Sequence, residues 1–111
     1  MIRFLDGPAA EKVLALHRAP DYLRVVVSPS GKWDALDQLE DVPKPREEIH
    51  VYRREPGEVP VVHLNMGSLR SGTGFYPMAS YRHVPEVDGE SVRATEAWRA
   101  WATTQDRVPR A

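Results

Sequence analysis

Apolar and polar positions alternate in short runs along most of this chain, and a helical period appears in two places only. The run "IRFL" (2–5) predicts a first strand, closed by the turn chemistry of Asp6-Gly7-Pro8. In "AAEKVLALHRAP" the good helix formers compete with the alternation of Leu14 and Leu16 against Ala15 and His17. Pro20 then closes the run before "YLRVVV" (22–27), so strand, turn, strand is the favoured reading. "SPSGKW" (28–33) is a turn by composition, and Trp33, Leu36 and Leu39, spaced three apart, predict two short helical turns. "VPKPREE" (42–48) reads as a connector without packed structure of its own.

"IHVYRR" (49–54) and "VPVVHLNM" (59–66) both alternate and flank a Pro-Gly turn, so they predict a hairpin with His50 opposite His63. "FYPMASYRHV" (75–84) predicts a further strand, with Pro77 at an edge or a bulge because it lacks an N–H. The segment 91–105 predicts the main helix. Ala94, Ala97, Trp98, Trp101 and Ala102 fall on one face, and Ser91 stands at the N-cap position. Together these elements predict an α+β fold: a mostly antiparallel curved sheet or small open barrel of five to six strands, with one C-terminal helix packed on it through Trp98 and Trp101. The 111 residues are read as one globular domain over 1–105, followed by a flexible tail at 106–111.

With 15 basic and 16 acidic side chains the net charge is −1, so no global field draws in polyanions or an anionic membrane. The charge is unevenly placed: residues 32–48 carry six acidic and three basic groups, and 49–84 carry two acidic and four basic. That asymmetry suits a surface that binds a partner or another copy of the chain. The absence of cysteine removes disulfides, thiolate nucleophiles and cysteine-ligated zinc. No apolar run has the length of a signal peptide or a bilayer span, so a cytoplasmic protein, or a virion component, is expected.

The glycine-rich stretch "MGSLRSGTGFY" (66–76) follows a strand as a phosphate loop does, and it meets the spacing Gly67-x4-Gly72. Thr73 then stands where lysine is needed and Gly74 where a hydroxyl is needed, and the next residues read as strand, so it is taken as a loop between strands. His17, His50, His63 and His83 lack metal-motif spacing, and no nucleophile elbow is present. No catalytic, cofactor-binding or metal-binding residue is assigned, and no cofactor or small molecule is implied.

The segment "FLDGPAAEKVLALHRAPDYLRVVV" (4–27) resembles a pattern of short uncharacterised proteins of phages and actinobacteria: a strand, a Gly-Pro turn, an alternating strand, a proline and a second β run. In those proteins the turn often carries a second glycine, and here Glu11 stands near that place. The resemblance implies a small β fold from a mobile element and supplies no activity. From the residues themselves, the expected function is a non-catalytic protein-interaction module that binds a partner protein or self-associates. The candidate contacts are Tyr52, Arg53, Arg54, Arg70, Tyr76, Tyr81 and Arg82, with the 67–74 loop. Two alternatives stand beside it. One is a nucleic-acid-binding module that adds Arg24 to the same arginine and tyrosine set; the other is a small hydrolase or ligand-binding domain using a histidine face.

Overall fold

The computed structural model describes residues 1–65 and 73–106. These described residues form eight strands: β1 (Ile2–Phe4), β2 (Val13–Leu14), β3 (Tyr22–Val27), β4 (Trp33–Leu36), β5 (Glu48–Arg54), β6 (Val61–Asn65), β7 (Thr73–Pro77) and β8 (Ala79–His83). A 3-10 turn, Gly89–Val92, leads into the helix α1, Thr95–Asp106. Six strands make one curved mixed sheet in the order β2-β1-β8-β5-β3-β4, and β6 and β7 pair with each other apart from it. All neighbours in the large sheet are antiparallel except β1 and β8, which run parallel. Its edges curl toward one another. The Lys12 ammonium lies 5.3 Å from the Trp33 ring centroid, and Arg18 donates to Gln38 across the same gap at 2.6 Å.

Alternation along the strands sorts the core into two layers. Leu23 and Val25 of β3 and Tyr52 of β5 turn to the concave side, where they meet Ile2, Phe4, Ala9, Ala35 and Tyr81. Val26, Ile49 and Val51 turn to the opposite side and are covered by Val92 and Trp98. The Trp98 ring is 2% exposed, which agrees with the packing face expected for this helix. No described helix is long and apolar enough to cross a membrane.

Four expectations are corrected. Residues 33–36 form strand β4 and not a helix. The turn at Ser28–Lys32, closed by Ser28 N–H to the Lys32 carbonyl at 2.9 Å with Gly31 at φ 87°, returns the chain alongside β3. Val25 then faces Ala35, and a continuous ladder outweighs two isolated helical turns. Strands β5 and β6 do not pair. Both edges of β5 are occupied by β3 and β8, so His50 faces Val25, while His63 of β6 faces Phe75 of β7.

The single strand expected at 75–84 is two strands in two sheets, divided at Met78, whose N–H donates to the Pro60 carbonyl at 2.8 Å; Pro77 ends β7 opposite Val61. Ser91 is not the cap of the main helix. The Asp88 carboxylate accepts the Glu90 N–H at 3.1 Å and caps the 3-10 turn, and α1 begins at Thr95. The tail residues 107–111 and the loop residues 67–72 lie outside the described residues.

Among the described residues Arg24 is the one charged side chain in the core, fully buried on the face of β3 that α1 covers. Its guanidinium donates to the carbonyls of Val92 at 3.1 Å, Arg93 at 3.4 Å and Asp41 at 2.6 Å, and lies 5.0 Å from the Trp98 ring centroid. Burial pulls its pKa down, and the Asp41 carboxylate opposes that shift. Of the connector expected at 42–48, Glu48 opens β5 and 42–47 form neither helix nor strand, yet they are tied down, because Arg93 donates to the Lys44 carbonyl at 3.1 Å and to the Glu47 carbonyl.

Two outcomes follow for stability. Arg24→Gln is expected to lose about 2–4 kcal/mol, and Arg24→Lys to recover little of it, since one ammonium does not span carbonyls on both sides of a planar fork. Urea unfolding of both variants reads this, and a lysine variant within about 0.5 kcal/mol of the parent contradicts it. Glu11 sits at φ 69°, the left-handed region where a Cβ is costly. Glu11→Gly is expected to raise stability by about 0.5–1 kcal/mol, read in the same assay, despite the entropy that glycine adds to the unfolded chain.

Candidate functional site

The tyrosines expected at a contact surface are packed inward. Tyr52 and Tyr81 are fully buried. The Tyr52 hydroxyl donates to the Asp6 carbonyl and accepts the Ala9 N–H, both at 2.8 Å, and the Tyr81 hydroxyl donates to the Pro20 carbonyl. Burial raises both phenols above their usual pKa. These two side chains pin the loops around β2 to the barrel and present no ring to a partner. Tyr76 is buried and stacks on His17, with centroids 4.6 Å apart. Arg70 lies outside the described residues.

The remaining three arginines do converge. Arg53 of β5 and Arg82 of β8 are directly opposed in the ladder, and Tyr22 of β3 faces Arg53 from the other side. Together with Arg54 they line a groove of about 310 Å³ between the end of the sheet and the last turns of α1, walled by Trp101 and Gln105. Tyr22 meets Trp101 edge to face at 4.8 Å. Arg54 is anchored to Asp21 at 2.9 Å and to the Ala19 carbonyl. Arg82 is held by Glu55 at 2.6 Å and Asp6 at 3.3 Å, and these carboxylates, Glu55 first, raise its pKa. Arg53 is exposed and has no carboxylate at ion-pair distance among the described residues. Glu86, also exposed, completes the wall.

Sequence reasoning found Arg53, Arg54 and Arg82 but missed Tyr22, Glu55, Glu86 and Trp101. The signal for Trp101 was available: its spacing from Trp98 places it about 60° around the helix, toward the rim of the buried stripe.

A second surface is the outward face of the β6–β7 hairpin. Val61, His63 and Phe75 share that face by register, and Val61 and Phe75 are 61% and 67% exposed. The His63 and Phe75 rings lie 4.7 Å apart, while Tyr76 on the opposite face is buried against the body. Met78, at the base of the hairpin, is 41% exposed.

The histidine face expected from His50 and His63 is not assembled, since these residues belong to different sheets. His50 instead lies on the concave side, 6.1 Å from the His83 ring and 6.2 Å from the Trp33 ring. Gly7, at φ 71°, packs so closely that a Cβ there would meet His83 Cβ at 2.6 Å. Among the described residues no three His, Asp or Glu side chains gather as a metal-binding group.

Burial lowers the His50 pKa most, Glu48 raises it, and His83 lowers it further. A depressed histidine means that the unfolded chain takes up the proton first. Stability is therefore complete above the unfolded value of about 6.5 and is lost as pH falls from there through the folded value. His50→Gln is expected to flatten that fall in urea midpoints measured from about pH 7.5 to about pH 5, and an unchanged pH profile contradicts it. No protein-family model, curated protein or solved structure matches this chain.

Proposed function

We propose that this protein is a non-catalytic interaction module that binds another protein or a second copy of itself. The observation that carries this reading is the outward face of the β6–β7 hairpin, where Val61 and Phe75, one register step apart on the same face, are both exposed to solvent on a two-stranded sheet. A lone hairpin is marginally stable in water, and a cluster of large apolar side chains on one is characteristic of a surface that is covered in use. The resemblance of residues 4–27 to short phage and actinobacterial proteins fits such a role in the cytoplasm or in a virion.

The nucleic-acid reading draws less support. Arg53, Arg54 and Arg82 stand among Asp6, Asp21, Glu55 and Glu86, so they do not form the continuous cationic track that follows a phosphate backbone.

A photo-crosslinking amino acid at position 75, introduced in the native host, is expected to yield a discrete adduct with one protein or with this chain. Phe75→Asp is expected to abolish the corresponding assembly in sedimentation while leaving stability within about 0.5 kcal/mol, as for an exposed position. A single-stranded oligonucleotide is expected not to bind saturably at about 0.15 M salt. Absence of any adduct, together with a monomer at all concentrations, overturns the reading.

A further inference from the structure

We infer that the groove between β5, β8 and α1 is a receptor for a carboxylate carried on a polypeptide, with Arg53 as the cation that receives it. The inference deepens the interaction reading and rests on it, but on a different surface from the hairpin.

Like charges directly opposed across an antiparallel pair repel, and Arg53 and Arg82 are such a pair. The two are treated differently by their surroundings. Arg82 is neutralised by Glu55 and Asp6, which fix its guanidinium beside the groove. Arg54 is likewise committed to Asp21 and the Ala19 carbonyl. Arg53 is left with its fork open to the groove and without a counter-charge among the described residues. A carboxylate matches that fork in two parallel hydrogen bonds, and its charge offsets the repulsion from Arg82.

The remaining walls narrow the ligand further. Tyr22 and Trp101 give an aromatic surface within the same groove, suited to an apolar side chain next to the carboxylate. At about 310 Å³ the space stands at the low end of ligand sites, enough for a short peptide segment. Glu55 and Glu86 lie in the same wall and repel a polyphosphate, whereas a peptide bearing one acid can turn its N–H groups toward them. The shared chemistry is a carboxylate beside an apolar group, from an acidic side chain or from a chain terminus.

The test is NMR titration of the whole protein, following the Trp101 indole N–H and the Arg53 guanidinium. Four probes are added separately: acetyl-Ala-Phe-Glu-amide, acetyl-Ala-Phe-Ala with a free C-terminus, the neutral acetyl-Ala-Phe-Gln-amide, and inorganic phosphate. A saturable shift with either acid peptide, absent with the neutral one and weakened at least tenfold by Arg53→Gln, is expected. The tighter of the two acids identifies the source of the carboxylate. Arg53 is exposed and opposed to Arg82, so Arg53→Gln is expected to unfold at or slightly above the parent urea midpoint, and Arg53→Lys to retain part of the affinity. Equal binding of the neutral peptide, equal binding by Arg53→Gln, or saturation by phosphate with no response to peptide overturns the proposal. If no peptide binds while the crosslinker at position 75 still captures a protein, the groove inference alone falls.

Discussion

The arrangement of this protein depends on a charge held out of water. Arg24 carries its guanidinium under α1 with no solvent access, and an unpartnered ion there would cost several kcal/mol. Its partners are backbone carbonyls from two separate stretches, Val92–Arg93 ahead of the helix and Asp41 in the β4–β5 connection, with the Trp98 ring alongside. The helix is thus seated by hydrogen-bond geometry as well as by apolar contact. Carbonyls accept along limited directions, so this contact fixes where the first turn of α1 lies on the sheet. The position of Trp101, two turns on, and hence the width of the arginine groove, follow from that anchor.

The concave layer is organised by a different device. Tyr52 and Tyr81 fill the barrel with their rings while their hydroxyls reach the loops at Asp6, Ala9 and Pro20. Those loops carry little regular structure, β2 being only two residues long, so the phenols supply the hydrogen bonds that a longer strand would have made. The two layers differ in their chemistry. Under the helix a cation meets carbonyls, and inside the barrel neutral hydroxyls meet the backbone.

Much of this fold was legible in the sequence. The strands at 2–5, 22–27 and 49–54 and the helix carrying Trp98 and Trp101 follow from local periodicity, and the α+β class follows from their sum. What periodicity does not encode is partner choice. Residues 49–54 and 59–66 carry compatible hairpin patterns, yet β5 takes β3 and β8 at its edges, a central place in which one face is covered by the concave core and the other by Val92 and Trp98. The alternation that exposes Arg53 also buries Tyr52 next to it, so a list of arginines and tyrosines mixed two opposite faces of one strand. Among the described residues only Arg53, Arg54 and Arg82 reach the groove, while Arg24, of the same residue type on a neighbouring strand, is internal. A charged residue inside "YLRVVV" was the available sign, since a lone cation in a buried apolar run needs a specific carbonyl or carboxylate cage.

The parallel contact between β1 and β8 sets Ile2 beside Ala79 and Phe4 beside Tyr81. During synthesis the β8 side of β1 therefore stays unpaired until Ala79–His83 has been made, while its other side meets β2 soon after. Closure of the sheet is a late event, governed by a long loop search instead of a nearby turn. During that interval the nascent polypeptide exposes an unzipped strand edge, and whatever shields it in the cell, whether a chaperone or rapid completion of synthesis, determines how much of it escapes aggregation.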